Sequence, residues 1–255
     1  MLDDFTPIIH TLPGRTIRCY AVGDVHIGAK ECDLEGFQSF LRKVQSEEDS
    51  YLFLLGDLLN NGLRSPNCPT DIYSETMPPH AQVKLAAELL TPLAGKILGC
   101  VGGNHERRTR KETDIDIMAQ VMTLIGKPDL YRPNMAFIRV NLTNGKAKDH
   151  YGIMLTHGKT LNKRKNFQAI VEGIDAAIFA HTHTPDVLMP SRIRFGQNNN
   201  ITVREIVSIT ACSWLKPGGY SLSGLYAPQA ISRPQSLILE FVNSNDIRGK
   251  VRVEW

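Results

Sequence analysis

Over the first two-thirds of the chain, short runs of nearly continuous apolar residues alternate with amphipathic stretches. The runs "TIRCYAV" (16–22), "YLFLL" (51–55) and "KILGCVG" (96–102) are too short for helices, and each runs into glycine. Such runs predict strands buried on both faces. Between them the spacing of apolar positions predicts helices. Asp33 is placed to cap one that carries Leu34, Phe37, Phe40, Leu41 and Val44 on one face, and Pro78 and Pro79 open a second that Pro92 closes. Asp114 is the expected cap of a third, with Ile115, Met118, Met122 and Ile125 at steps of three and four before Gly126. This is βαβ patterning. Downstream, "AFIRVNL" (136–142), "YGIMLTHG" (151–158), "DAAIFAHTH" (175–183), "ITVREIVSI" (201–209), "SLILEF" and "KVRVEW" follow with few helices between them, which predicts a second, more antiparallel sheet. The polar "GQNNN" (196–200) reads as a hairpin tip.

Composition narrows the classes. A chain of 255 residues with 42% apolar content can bury one large core, and a single domain over 1–255 is expected. With 29 Lys and Arg against 26 Asp and Glu, the net charge is only +3, so any affinity for nucleic acid has to be local. The start, "MLDDFTPIIHTLPGR", has no basic region followed by an apolar one, and no later run reaches the roughly 20 apolar residues of a membrane span. The expectation is a soluble, cytoplasmic protein with no membrane partner. Five cysteines, at 19, 32, 68, 100 and 212, lack CxxC spacing, which argues against a disulfide framework and a zinc knuckle. Cys19 and Cys100 lie in apolar runs and read as core residues.

In an open α/β sheet, ligands bind beyond the carboxyl ends of strands, so the residues that follow each predicted strand matter most. There the chain places Asp24 and His26 in "GDVHIG", Asp57 in "GDLLNNG", Asn104 and His105 in "GNHE", His157 in "MLTHG", and His181 and His183 in "IFAHTHTP". Five of its eight histidines thus stand at strand ends. Carboxylates and imidazoles without thiolate suit Mn²⁺, Fe or Zn²⁺ rather than Ca²⁺. Seven such side chains exceed what one ion takes from protein, so two are inferred, about 3.5 to 4 Å apart, with Asp57 as the candidate bridge. Glycines beside Asp24, Asp57, Asn104 and His157 are expected to let the backbone turn the ligands into one hollow.

These residues resemble the calcineurin-like metallophosphoesterases. The five blocks of that family, D-x-H, G-D, G-N-H-D/E, H and G-H-x-H, stand in order as Asp24-Val25-His26, Gly56-Asp57, Gly103-Asn104-His105-Glu106, His157 and Ala180-His181-Thr182-His183, within about residues 17–185. Ala180 replaces the usual glycine, a change in backbone freedom and not in ligands. The resemblance implies a four-layer αββα sandwich of two mixed β-sheets flanked by helices. It implies one metal on Asp24, His26, Asp57 and His183, and a second on Asp57, Asn104, His157 and His181, with Mn²⁺ the expected ion and Fe or Zn²⁺ the alternatives. The implied chemistry is in-line attack on phosphorus by hydroxide formed between two cations. His105 would act as general acid, with Glu106 orienting it.

The substrate is read from charge. Arg107, Arg108, Arg110 and Lys111 follow the third block, and Lys159, Lys163, Arg164 and Lys165 the fourth. A polynucleotide offers a row of phosphates that such a rim can track, so nucleic acid is the expected substrate, with Arg107, Arg108, Lys163, Arg164 and Lys165 as its contacts. The competing account pairs the arginines with Glu112, Asp114 and Asp116 on a helix surface. The alternatives are a phosphomonoesterase, a phosphodiesterase of cyclic or short oligonucleotides, or a non-catalytic scaffold; the compact length resembles stand-alone members related to repair exonucleases. Asn60 and Asn61 read as turn formers before Gly62. Trp214, Tyr220 and Tyr226 lie in a Gly, Ser and Pro-rich stretch that reads as a lid or an ordered surface loop.

Overall fold

The computed structural model describes residues 3–64, 71–145, 147–160, 171–195, 200–218, 234–240 and 251–254. In chain order its strands are β1 (Ile8–Pro13), β2 (Thr16–Val22), β3 (Ser50–Leu54), β4 (Ile97–Val101), β5 (Tyr131–Arg132), β6 (Met135–Asn144), β7 (Ala147–Thr156), β8 (Ala176–Phe179), β9 (Asp186–Leu188), β10 (Ser191–Phe195), β11 (Ile201–Glu205), β12 (Val207–Thr210), β13 (Ser236–Glu240) and β14 (Val251–Glu254). The α-helices are α1 (Leu34–Ser46), α2 (Pro79–Leu90), α3 (Glu106–Thr113) and α4 (Ile117–Leu124). Two mixed six-stranded sheets form, in the orders β14-β13-β2-β3-β4-β5 and β1-β6-β7-β8-β12-β9. The fold is the expected α/β sandwich of two mixed sheets.

The alternation of side chains along each strand builds two cores from one run. Along β2, β3 and the residue that follows β3, Cys19, Ala21, Phe53 and Leu55 point at the second sheet and pack with Ile138, Val140, Ile153, Leu155 and Ile178. Their neighbours Tyr20, Val22, Leu52 and Leu54 point the other way, against Phe37, Leu41 and Val44 of α1, Val83 and Leu90 of α2, and Met118 and Met122 of α4. Both faces are dry, which is why the runs read as continuous. The outer face of the second sheet carries a smaller cluster of Met154, Ile174, Ala177, Phe179 and Ile206. Among the described residues, no helix is long and apolar enough to cross a membrane.

Four local expectations need correction. Asp114 does not cap the third predicted helix: it closes α3 in the left-handed conformation (φ 62°), and Asp116 caps α4 by accepting from Ala119 N–H. The basic stretch after His105, for which the apolar spacing predicts no element, is helix α3. The run 201–209 divides at Ile206 into β11 and β12, which lie in different sheets. Finally, β13 and β14 extend the first sheet at the β2 edge, with Leu237 paired to Cys19, instead of completing the second. The strands either side of the predicted hairpin tip do pair antiparallel, Phe195 with Ile201; tip residues 196–199 lie outside the described residues.

Candidate metal centre

Parallel pairing brings the carboxyl ends of β2, β3 and β4 to one edge, and it continues past the strands. His26 N–H donates to the Asp57 carbonyl at 2.9 Å and Ile27 N–H to that of Leu58 at 2.8 Å, so the first two ligand loops are zipped together. From the second sheet, β7 and β8 end at the same edge, and Ala180 N–H donates to the His157 carbonyl at 3.1 Å. Ala180, in the usual glycine position, is buried against Gly23, where any Cβ would sit 2.9 Å from the Ala180 methyl.

All seven predicted ligands converge. Three groups of ligand atoms lie within 4.8 Å of one another: Asp24, His26 and His183; His26, Asp57 and His105; and Asp57, His157 and His181. Asn104 joins the last, its Oδ1 2.9 Å from His157 Nε2. His26 Nε2 lies 3.3 Å from His183 Nε2, and His157 Nε2 lies 3.2 Å from His181 Nδ1. Donor atoms bound at 2.0–2.1 Å to one ion in tetrahedral to octahedral geometry stand about 2.8–3.4 Å apart, so these spacings fit shared cations. Asp24 Oδ1 is buried without a hydrogen-bond partner, an acceptor left for a cation.

Each carboxylate divides its oxygens between two tasks. Asp24 Oδ2 accepts from His181 N–H at 2.8 Å, and Asp57 Oδ1 accepts from His105 N–H at 2.8 Å. That leaves Asp24 Oδ1 at 3.5 Å from His183 Nε2 and Asp57 Oδ2 at 3.2 Å from His157 Nε2. His157 Nδ1–H donates to the Leu55 carbonyl at 2.7 Å, and His105 Nδ1–H to the Asn60 carbonyl at 2.6 Å, so each ring presents Nε2 to the centre.

Backbone strain is concentrated here. Of the seven non-glycine residues with positive φ among the described residues, five are predicted ligands: Asp24 (50°), His26 (54°), Asp57 (49°), His181 (75°) and His183 (56°). Left-handed residues that are not glycine each cost roughly 1–3 kcal/mol and persist where the surroundings over-determine them. The expected role of the flanking glycines is thus only partly right. Gly56 (φ 79°) and Gly158 (φ 87°) do take the expected left-handed turn beside Asp57 and His157, whereas beside Gly23 it is Asp24 itself that takes it, and Gly103 is needed for close approach, since a Cβ there would meet Asp57 Oδ1 at 2.0 Å.

The charges interlock. Burial works to raise the Asp57 carboxyl, yet the imidazoles of His157 and His105 hold it well below its usual range. Burial works to lower His157, and the Asp57 and Asp24 carboxylates overcome it and raise that imidazole to about 9. His26 is pushed well down by burial and by His105. His105 is lowered by burial and, despite Asp57, by Arg108.

Glu106 does not orient His105. It is buried, and it collects three backbone donors: Asp57 N–H and Gly103 N–H at 2.9 Å on Oε2, and Leu59 N–H at 3.0 Å on Oε1. Burial and the nearby Asp57 push it up to about 7. Asn61 is the αL turn former expected (φ 49°), and its side chain also donates to the His105 carbonyl at 2.6 Å and accepts from Thr109 Oγ1 at 3.0 Å. Ser213 escaped the sequence reading, as did the backbone role of Trp214; Ser213 Oγ and Trp214 N–H both donate to the Asp24 carbonyl, at 3.1 and 3.0 Å. Trp214 is no lid: it is buried, with its ring centroid 5.1 Å from that of Phe37. Tyr220 and Tyr226 lie outside the described residues, as do Lys163, Arg164 and Lys165.

The two predicted substrate arginines diverge. Arg108 reaches the centre, its guanidinium 3.1 Å from His105 Nε2. Arg107 turns away, donating to the carbonyls of Gly102 and Pro133 at 3.2 and 3.4 Å. Arg110 pairs with Asp116 at 3.5 Å, as the competing account anticipates for one arginine.

The family model of the calcineurin-like phosphoesterases matches residues 17–185, the stretch that carries every ligand loop. The chain is a calcineurin-like phosphoesterase. This phosphoesterase is a hydrolase of phosphoester bonds from a family that uses divalent metals. Similar solved structures include a predicted phosphoesterase from Streptococcus pneumoniae, 15% identical over 94% of this chain and 98% of that chain, with a TM-score of 0.38. A metallophosphoesterase from Sphaerobacter thermophilus is 16% identical, over 88% and 84%, with a TM-score of 0.38. GAP50, the anchor in the inner membrane complex of Plasmodium, is 12% identical, over 89% and 82%, with a TM-score of 0.43. No curated protein matches the phosphoesterase.

Proposed function

We propose that this phosphoesterase is a binuclear phosphodiesterase that cleaves nucleic acid. The observation that carries the binuclear reading is Asp57, the one carboxylate that stands in two of the three ligand groups found among the described residues; His26 also stands in two, but an imidazole nitrogen has a single lone pair and cannot bridge two ions as a carboxylate can. Asp24, His26, Asp57 and His183 would hold one ion, and Asp57, Asn104, His157 and His181 the other, with Mn²⁺ the expected ion and Fe or Zn²⁺ equally compatible with this mix of imidazole, carboxylate and amide donors. When bound, two such cations supply a hydroxide near neutral pH and neutralise charge on the phosphoryl oxygens.

The chain's own residues supply the rest. His105 Nε2 faces the centre, 3.9 Å from Asp57 Oδ2, and carries the proton for the leaving oxygen. In the free enzyme Arg108 donates to that nitrogen; a phosphate that takes over the guanidinium leaves Nε2 to hold its proton. Helix α3 starts beside His105 with Arg108 and continues to the exposed Lys111, Arg110 being engaged by Asp116, and Lys159 is exposed two residues past His157. These cations favour a substrate with a row of phosphates over a monoester.

Assays with a nitrophenyl monoester, a bis-nitrophenyl diester and labelled single-stranded DNA in Mn²⁺ test the reading. Cleavage of DNA and the diester is expected; preference for the monoester with no nucleolysis defeats it. His105→Ala should keep near-normal metal content and slow turnover about 10²- to 10⁴-fold. Loss of both ions in that variant would make His105 a ligand, as its grouping with His26 and Asp57 also permits.

Metal uptake should also release protons. In the metal-free centre His157 is raised to about 9, so near neutral pH its Nε2 holds a proton that a cation has to displace. Affinity therefore rises with pH up to about 9 and levels off above it. Calorimetry in buffers of different ionisation heat should show about one proton released per His157 site at neutral pH; uptake independent of pH would contradict the assignment of His157.

A further inference from the structure

Strands β10 and β11 form a ribbon that, among the described residues, pairs with no other strand. Its register sets Ile193 opposite Val203 and Phe195 opposite Ile201, and directly opposed side chains share a face. All four are between 63% and 75% exposed. The opposite face is the anchored one. Arg204, one step out of phase with Val203, pairs with Asp175, and at the base Ile206 N–H donates to the Pro190 carbonyl at 3.0 Å. A two-stranded ribbon is marginal in water on its own, and this one turns its apolar side to solvent.

We propose that β10 and β11 are a homodimerisation element, in which two copies of the chain pack their Ile193, Phe195, Ile201 and Val203 faces together across a two-fold axis. Four side chains exposed to this degree present on the order of 500 Å², within the range of functional patches. Two copies would remove roughly 1,000 Å² from water, the threshold of a specific interface. Leu188 and Met189, exposed at the base of the ribbon, add to that area. The four side chains carry no charge or hydrogen-bonding group with which to recognise a nucleic acid or an acidic peptide. What complements the face is another apolar face, and a second copy brings one, opposed by a net charge of only +3.

The location is compatible with activity. The ribbon joins β12 at its start, whereas the loop that carries His181 and His183 follows the far end of β8, the parallel neighbour of β12. The interface and the metal centre are thus separated by the length of a four-residue strand, on the order of 13 Å, and both centres stay open.

Sedimentation equilibrium of the full chain tests the proposal. Wild type is expected at twice the chain mass, and Ile193→Lys with Phe195→Lys at the mass of one chain, with hydrolysis of a small diester unchanged. An equimolar mixture of that variant with Ile193→Glu, Phe195→Glu should recover the doubled mass. Should the charged variants fail to fold, Ile193→Thr and Val203→Thr keep the strand's branched side chains and should each raise the dimer dissociation constant about tenfold. A single-chain wild-type mass at every concentration at which the protein stays soluble overturns the proposal, and is the result expected if another part of the same chain covers the ribbon. A doubled mass that survives all these substitutions overturns it as well.

Discussion

Asp57→Asn should abolish turnover and weaken both metal positions together. The Asp57 side chain is buried with one oxygen fixed by His105 N–H, and the other stands 3.2 Å from His157 Nε2 and 3.9 Å from His105 Nε2. The substitution keeps the shape and removes a charge that acts on five imidazoles, those of His26, His105, His157, His181 and His183. Loss of transition-state charge stabilisation at a single group typically costs about 10²- to 10³-fold, and a carboxylate shared by two cations should exceed that. His157 would lose the carboxylate that does most to raise it, so proton release on metal uptake should shrink in the same variant. Metal analysis and calorimetry read both effects. An Asp57→Asn protein that retains one ion at wild-type affinity would show that the carboxylate belongs to one position only.

Glu106→Gln should lower metal affinity and turnover in parallel, although Glu106 touches neither a ligand side chain nor His105. Its carboxylate ties the Asp57 loop, through the amides of Asp57 and Leu59, to Gly103 of the third loop. A glutamine offers one acceptor and sets an NH₂ group against at least one of those donors, and a buried amide left without an acceptor costs roughly 1–3 kcal/mol. A displacement of about 1 Å in Asp57 is enough to slow the reaction some 10²-fold. Metal affinity separates this role from the one the sequence suggests. If Glu106 worked by orienting His105, the variant would keep its ions and lose rate alone, as His105→Ala should.

What the sequence disclosed follows from how local each feature is. The strands at 16–22, 51–55 and 96–102 were legible because both of their faces are buried, and the ligands because each stands directly after a strand. Helix α3 was not, since "ERRTRKET" buries only Glu106 and has no apolar stripe to mark its period. The cap at 114 was mistaken for the one at 116 because "TDID" offers two carboxylates two residues apart, and only the backbone decides that Asp114 takes φ 62°. The attachment of β13 and β14 to β2 is a long-range pairing that no local pattern encodes. Positive φ at Asp24, His26, Asp57, His181 and His183 is likewise invisible in a sequence, because Asp and His adopt it more readily than most side chains but still only in a minority of positions, so residue type alone does not announce it. Arg107 and Arg108 are neighbours of identical chemistry, and helical geometry alone sends one to the centre and the other to the carbonyls of Gly102 and Pro133.

Anomalous diffraction from crystals loaded with Mn²⁺ tests the central claim most directly. Two peaks about 3.5 to 4 Å apart are predicted, with Asp57 between them, Asp24, His26 and His183 around one, and Asn104, His157 and His181 around the other. A single peak, or two peaks of which neither is ligated by Asp57, would contradict it.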